Sequence, residues 1–401
     1  MVLHSHRNQK VDHNYHHDGG KDHYVKYRSI VSSISFDAEK SETEIMTKGK
    51  WTHIGGNILR LPPIRKRFSL LHKVYPRNNK NGIYSVAFSP KGRSVALGFI
   101  SGEVQLRRLF TIAQNEAAIC LRGPIPNVEV TYPVTCSRFV PTMENLLFVS
   151  DLSGRIDIFD TEKICKHMLV KENNQINTID VDATGTTIVS GGKDSLIRIY
   201  DGVTGKLVSS TVPILKRKFD ADPKKYHRMR IHCIKFDPEN YNTFFSGGLD
   251  GYVKMWDLRQ GLISVRTMNG PCIHGDAIDS WGNVLLTGSW RASKGMDLWD
   301  ITSGQHLETL VPSNRASSLD AEFYECVRFF NGGKDGSVIL TGGSGTGRLE
   351  IFNVMERRID FAVKVGNCVK SIDSTSSSVV CGSLDGICRV VKYHRIEEKD
   401  F

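Results

Sequence analysis

The chain has 401 residues, 40% of them apolar, and a net charge of +10 from 53 Lys and Arg against 43 Asp and Glu. That is enough apolar material for one large core, and no apolar run approaches the roughly 18 residues of a membrane-spanning helix. Nine Cys at scattered positions with no CxxC pair read as reduced thiols of the cytoplasm or nucleus, not as a disulfide framework or a zinc ribbon.

In chain order, residues 1–50 are expected to form a solvated, disordered tail. They lack the apolar core of a secretion signal. The tail holds six of the 14 His, namely His4, His6, His13, His16, His17 and His23. Imidazole is a common metal ligand, but the spacing is irregular and no scaffold holds these side chains. No metal or cofactor is therefore expected. Residues 51–66 are a basic lead-in. The stretch 51–82 carries Arg60, Arg65, Lys66, Arg67, Lys73, Arg77 and Lys80 and no acid. Within it, ArgPheSerLeuLeuHisLysValTyr (67–75) has the composition of a strand.

From about 83 to 393 one frame recurs. A short apolar strand is followed by a turn, a second strand ending near SerGly, an AspGly turn, and a third strand ending in an aromatic-Asp pair. Copies end at PheAsp (159–160), TyrAsp (200–201), TrpAsp (256–257), TrpAsp (299–300) and PheAsn (352–353), with degenerate ends near Arg107 and Val391. The spacing is roughly 40–55 residues, the period of propeller blades. Val, Ile, Phe and Tyr alternate with polar residues along the strands. The Gly-bearing turns supply the positive φ of tight hairpins. A single blade cannot bury both faces, so blades must stack on neighbours and close into a ring.

The fourth copy is the fullest, with His227, Ser246, Asp250 and Trp256 around the apolar ladder Ile231, Ile234 and Phe236. It resembles a WD repeat, and the resemblance spans about 83–393. The resemblance implies an all-β fold, a seven-bladed WD-repeat β-propeller. In that family the turn Asp bonds a His of the preceding loop, the His meets the strand Ser, and the Ser meets the Trp. His227, Ser246, Asp250 and Trp256 then form a structural quartet rather than a catalytic site, since buried polar groups must be paired. Glu172 replaces the His in the third copy. Arg291 and Gly345 stand where the fifth and sixth would carry the turn Asp. The last copy has no residues left for a fourth strand beyond about Ile387–Tyr393. The 67–75 strand is expected to close it, giving a propeller over 67–396 and a short tail, 397–401.

No HExxH, Walker loop, GxSxG or metal-spaced Cys/His set is present, so no enzymatic activity is expected. SerGlyThrGly (344–347) lacks the Lys-Ser/Thr of a phosphate loop. The expected role is that of a non-enzymatic scaffold docking partner proteins on its loops, in the cytoplasm, the nucleus or both. Three features are candidates for contact. The first is the basic loop 214–230, with Lys216, Arg217, Lys218, Lys224, Lys225 and Arg228. It is longer than a hairpin needs, and long loops on rigid scaffolds carry function. The second is TrpArgAlaSerLys (290–294), where Trp290 and Arg291 are residue types that dominate interface hot spots. Alternatively, Trp290 folds back over its blade and Arg291 replaces the missing Asp. The third is residues 245–259, ending MetTrpAspLeuArg. They are similar to the WDxR box of substrate receptors for cullin–RING ubiquitin ligases. The resemblance implies that Arg259 would contact the ligase adaptor. The basic clusters also leave open an RNA or anionic-membrane surface, nuclear-localisation signals, or cations that block edge-to-edge strand pairing. Neither cluster carries aromatics at a regular stacking spacing.

Overall fold

The computed structural model describes residues 68–75, 82–109, 118–123, 132–211, 225–315, 321–333 and 336–394. The tail 1–50, the lead-in 51–66, the segment 397–401 and, within the basic loop, Lys216, Arg217, Lys218 and Lys224 lie outside the described residues.

Twenty-eight strands among the described residues make seven antiparallel sheets of four. We letter the strands of each blade a to d from the centre outward. Blades 1 to 7 begin at Ile83, Val134, Ile176, Ile231, Ile278, Tyr324 and Val369. The seven a strands contact one another in succession, and blade 7 meets blade 1 to close the ring. Burial falls outward. Strand b of blade 4, Thr243–Gly248, is buried along its whole length, whereas strand d of blade 3, Leu207–Ser210, is exposed throughout. Inner strands covered on both faces therefore read as continuous apolar runs, and the rim strands do not.

The d strand of blade 7 comes from the other end of the propeller sequence. Phe68–Val74 runs antiparallel to Cys388–Tyr393, with Phe68 opposite Tyr393 and Val74 opposite Cys388. Phe68 is 3% exposed. Its ring lies 5.3 Å from Phe330 and 5.0 Å from Tyr393, so the seam strand also packs on blade 6.

Blades fit together through missing side chains. A Cβ on Gly98 of blade 1 would lie 2.3 Å from Val134 of blade 2, and one on Gly382 of blade 7 would lie 2.4 Å from Ile83 of blade 1. The same approach recurs at Gly191, Gly247, Gly288 and Gly342. This is the physical content of the SerGly strand ending: only glycine admits the β-branched residue of the next blade. Polar stitches run alongside. Cys136 Sγ donates to the Ile179 carbonyl at 3.3 Å, Thr178 Oγ1 accepts from Ile234 N at 3.2 Å, and Ser371 Oγ accepts from Val86 N at 3.1 Å. The nine cysteines are free thiols, and six of them are buried.

In six blades the pairing of strands a and b slips after the first residue of strand a. The slip leaves Tyr84, Thr135, Asn177, His232, Glu325 and Lys370 without an opposite residue. A bulge of this kind bends the strand and re-aims its side chain. Here the bulges set the chemistry of one mouth of the central channel.

Candidate interaction face at the channel mouth

The blade 4 quartet is a chain of hydrogen bonds. Trp256 Nε1 donates to Ser246 Oγ at 2.7 Å, Ser246 Oγ lies 2.7 Å from His227 Nε2, and His227 Nδ1 lies 2.9 Å from Asp250. Asp250 also accepts from the Arg228 backbone N–H at 3.0 Å. Burial lowers the His227 pKa, with the Asp250 carboxylate opposing it, so the imidazole is neutral at pH 7. A neutral ring with its proton on Nδ1 satisfies every group in the chain. Burial works to raise the Asp250 pKa, but the bonds from His227 and Arg228 hold it below the ordinary carboxylate range.

Other blades fill the same place differently. In blade 3, Glu172 accepts from Ser190 Oγ at 2.5 Å, Tyr200 OH at 3.0 Å and Arg198 at 3.1 Å. In blade 5, Trp299 Nε1 donates to Thr287 Oγ1 at 2.9 Å, and the Arg291 guanidinium donates to the Gly270 carbonyl. Arg291 thus ties turn to loop as an Asp would, with donor and acceptor exchanged. In blade 6, Glu322 accepts from the backbone N–H of Thr346 and of Gly347, each at 2.8 Å.

Charged residues of strands a line the channel, each penultimate in its strand except Asp279, the second of four residues in blade 5. From blade 2 to blade 7 these alternate in sign: Arg138, Asp180, Lys235, Asp279, Arg328 and Asp373. Arg138 pairs with Asp180 at 3.1 Å, and Lys235 with Asp279 at 3.5 Å. The three acids also accept backbone N–H groups of the next blade, Phe236, Phe329 and Phe88, at 2.7–2.9 Å. Asp276 of blade 5 joins Arg138 of blade 2 at 2.8 Å and Arg328 of blade 6 at 2.5 Å. Burial opposes its charge, but the two guanidinium groups hold the Asp276 carboxyl far below the usual range. Each cation of the lining is thus paired with an acid of the lining.

At the mouth the bulge residues meet. Lys370 bonds Glu325 at 2.8 Å and lies over the Tyr84 ring at 5.0 Å. Glu325 also bonds His274 Nδ1 at 3.1 Å. Burial raises the Glu325 pKa, but Lys370 and His274 outweigh it and hold the carboxyl at about 2. His274 is stacked between His232, 5.2 Å away at 19°, and Trp290, 4.9 Å away at 24°. Phe323 meets Trp290 edge-on at 5.5 Å. All four rings are half-buried. Trp290 is thus part of an aromatic column contributed by blades 4, 5 and 6.

The loops carrying these groups are joined by backbone hydrogen bonds. Leu249 N donates to Arg230 O, Ile273 N to Gly248 O, Trp290 N to Cys272 O, Ala321 N to Ala292 O, and Gly345 N to Glu322 O, all at 2.8–3.3 Å. Lys225 and Arg228 stand in the first of these loops, and Arg228 is exposed beside Asp250. Arg259 lies apart, after strand c of blade 4. Its side chain is 64% exposed and forks onto Asp257 at 3.0 and 2.8 Å. That pairing holds the Asp257 carboxyl at about 2.

Sequence reasoning singled out Trp290, Arg291 and the blade 4 quartet, and did not single out His232, His274, Phe323, Glu325 and Lys370, which lie beside Trp290 or at the same mouth. The alternating channel charges had a signal, a charged residue just before the last position of strand a in each copy from the second to the seventh except the fifth, where Asp279 is the second of four. The aromatic column had none, because its rings come from loops far apart in sequence. Among the described residues no helix is long and apolar enough to cross a membrane. Nor are three His, Cys, Asp or Glu side chains grouped there to hold a metal.

A closed ring of seven four-stranded sheets, with loops stitched together on one face, is a β-propeller. More narrowly, two stretches of the chain are WD repeats: residues 163–201 and 224–257 match the family described as WD domain, G-beta repeat. It is similar to nuclear distribution protein nudF of Aspergillus niger, 22% identical over 49% of this chain and 45% of the relative. It is similar also to COMPASS component SWD3 of Saccharomyces cerevisiae, 32% identical over 31% of this chain and 38% of the relative. A third relative is U3 small nucleolar RNA-associated protein 15 of Schizosaccharomyces pombe, 25% identical over 65% of this chain and 57% of the relative. The chain thus spans only about two fifths to three fifths of the length of these curated relatives.

Proposed function

We propose that the protein is a non-enzymatic scaffold subunit of a nuclear multiprotein assembly, and that partners dock on the loop face over blades 4 to 6. The observation that carries this reading is the unbroken series of backbone hydrogen bonds from Arg230 to Gly345. Loops held in place before a partner arrives avoid the ordering cost of binding. The face presents Trp290 and Arg291, residue types that anchor interfaces. A nuclear, RNA-associated setting is supported by relatives whose names place them in COMPASS, in the THO complex and with U3 small nucleolar RNA.

Arg259 supports a second docking point on another surface. Its fork is fixed by Asp257 yet exposed, as a guanidinium needs to be to reach an acidic partner. Affinity mass spectrometry of the full chain from nuclease-treated extract, beside Arg291→Glu with Lys294→Glu and separately Arg259→Ala, tests both. The loop-face pair is expected to lose a set of partners that Arg259→Ala keeps. Loss of cullin-ligase subunits in Arg259→Ala alone would establish the substrate-receptor reading instead. An unchanged partner list in both variants would remove the docking proposal.

A further inference from the structure

We propose that a cavity at the other end of the central channel, between the a–b loops of blades 7 and 1, binds a basic side chain of a partner protein, with Asp373 as its counter-charge. That the ligand belongs to a protein rests on the scaffold reading above; the sign of the site does not.

The channel lining holds one acid more than its cations pair. The cations are Arg138, Lys235 and Arg328, and the acids are Asp180, Asp276, Asp279 and Asp373. Each cation contacts one or two of the first three acids. Asp373 contacts no cation among the described residues. Its oxygens accept backbone N–H groups, from Phe88 at 2.7 Å and from Ser374 at 2.9 Å. Burial raises the Asp373 carboxyl above its ordinary range, against those N–H groups and the more distant Arg328 and Lys235. At Asp276 the contacting guanidinium groups reverse that direction. A charge taken from water needs a pair as well as hydrogen bonds. A ligand cation would give Asp373 what Arg138 and Arg328 give Asp276.

The acid borders open space. Asp373 is half-buried and lines a cavity of about 550 Å³, far more than the roughly 30 Å³ share of one water molecule. Phe88 and Phe139 end strands a of blades 1 and 2 and give the cavity an apolar wall for a side-chain stem. Hydroxyls of the blade 7 loop and the Asn331 amide supply acceptors for N–H donors. Asn331 Nδ2 donates to the Ser374 carbonyl at 2.8 Å, which leaves its amide oxygen to accept. The walls are fixed in advance. Ser89 Oγ and Lys91 N donate to Glu144 at 2.6 and 2.7 Å, and Thr375 Oγ1 accepts from Ser378 N at 3.1 Å. Gly92, at φ 66°, lets the two loops touch, since a Cβ there would lie 2.8 Å from Thr375 Cγ2. Lys91 also lines the cavity, but it is exposed, so solvent screens its charge more than that of Asp373. An anion would be repelled by Asp373, and a neutral group would leave it without a counter-charge.

The test titrates the purified full chain with a short blocked peptide of glycine and alanine carrying arginine at its centre, read by ligand-observed NMR. Peptides with lysine, citrulline (the uncharged isostere of arginine) or glutamate at the centre are the further arms. The arginine or the lysine peptide should bind saturably, and the citrulline and glutamate peptides at least about tenfold more weakly. The tighter of the two cations identifies the side chain that the site takes. Asp373→Asn removes the charge and keeps an acceptor, and it should weaken the cationic peptides at least about tenfold. Ser376→Trp, on the exposed part of the blade 7 loop, should fill the cavity and weaken them as much. Lys91→Glu should strengthen them about two- to fivefold. Lys206→Glu, the same charge change in the c–d turn of blade 3, should leave affinity as it was. A thermal melt shows whether each variant is folded; if Asp373→Asn is not, Ser376→Trp and Lys91→Glu decide. No saturable binding of either cationic peptide up to about 10 mM would overturn the proposal. So would equal binding of the citrulline or glutamate peptide, undiminished binding in folded Asp373→Asn or Ser376→Trp, or weaker binding in Lys91→Glu. If the peptides fail while the loop-face variants still lose partners, the scaffold reading stands without this cavity. The reverse pattern leaves the cavity as the docking point of the chain.

Discussion

In blade 4 the residue ahead of strand a is His227, and each polar atom it meets is paired through to Asp250, Ser246 and Trp256. In blade 6 the same place holds Glu322, fully buried, with one carboxylate oxygen on the turn N–H groups and the other without a partner among the described residues. The turn residue differs to match. In blade 4 the turn residue Asp250 accepts from the neutral His227 ring. Gly345 in blade 6 brings its own N–H to the Glu322 carbonyl at 2.8 Å, and a Cβ there would sit 3.0 Å from Glu322 backbone. Buried Glu350 adds a second acid, and Arg315 bonds it and Tyr324 OH. One guanidinium cannot neutralise two buried carboxylates. Burial first, and then Glu350, push the Glu322 carboxyl up to about 7. The blade therefore needs a polar plug joining loop, strand and turn, but the chemistry of the plug is free to change. A neutral plug leaves stability level near pH 7, and an acidic one makes it depend on protons.

The strongest way to break the comparison is at the seam. Phe68 packs on Phe330 and Phe361 of blade 6 as well as on Tyr393. Phe68→Ala should lower the unfolding free energy by about 3–5 kcal/mol, the range for a buried Phe, in urea titration. A loss below about 1 kcal/mol would mean that blade 6 stands without the seam strand. Next comes the neutral plug. His227→Ala leaves the Ser246 hydroxyl without its acceptor and takes the ring donor from Asp250 in the interior, which should cost about 3 kcal/mol. Because the His227 pKa is lowered in the fold, that loss should be constant from pH 7 to 9. A loss that changes with pH over that range would show the ring to be charged.

The smallest effect is the most specific. The folded Glu322 pKa, about 7, lies above its ordinary 4.5. Its contribution is complete below pH 4.5 and is lost as pH rises through 7, since the unfolded chain releases that proton earlier. Glu322→Gln keeps an acceptor for Thr346 and Gly347 and cannot ionise. It should match the wild type within about 0.5 kcal/mol at pH 4.5 and exceed it by about 1–3 kcal/mol at pH 8. Thermal unfolding at the two pH values reads the difference, and parallel profiles would place the proton elsewhere.

Blade 4 was legible because the sequence states its bonds at fixed spacing, from His227 to Trp256. The substitutions at Glu172, Arg291 and Gly345 were visible as departures, but not what replaced the missing bonds. Arg291 reaches the Gly270 carbonyl and Glu322 reaches the turn N–H groups only because neighbouring loops lie side by side. The basic loop was read as lacking aromatics at a regular stacking spacing, with Phe219 and Tyr226 its only ones. The column of His232, His274 and Trp290 is assembled from three different segments.

The sequence by itself determined the repeat, the seven blades and the strand that closes the last one. Alternation of apolar residues, turn glycines and close-approach glycines are local demands that every copy must meet. Only the tertiary structure decided the chemistry of the channel and its mouth. Six blades give the mouth a residue whose aim depends on a one-residue slip between strands, and channel charges are cancelled by residues as distant as Arg138 and Asp276, which meet at 2.8 Å.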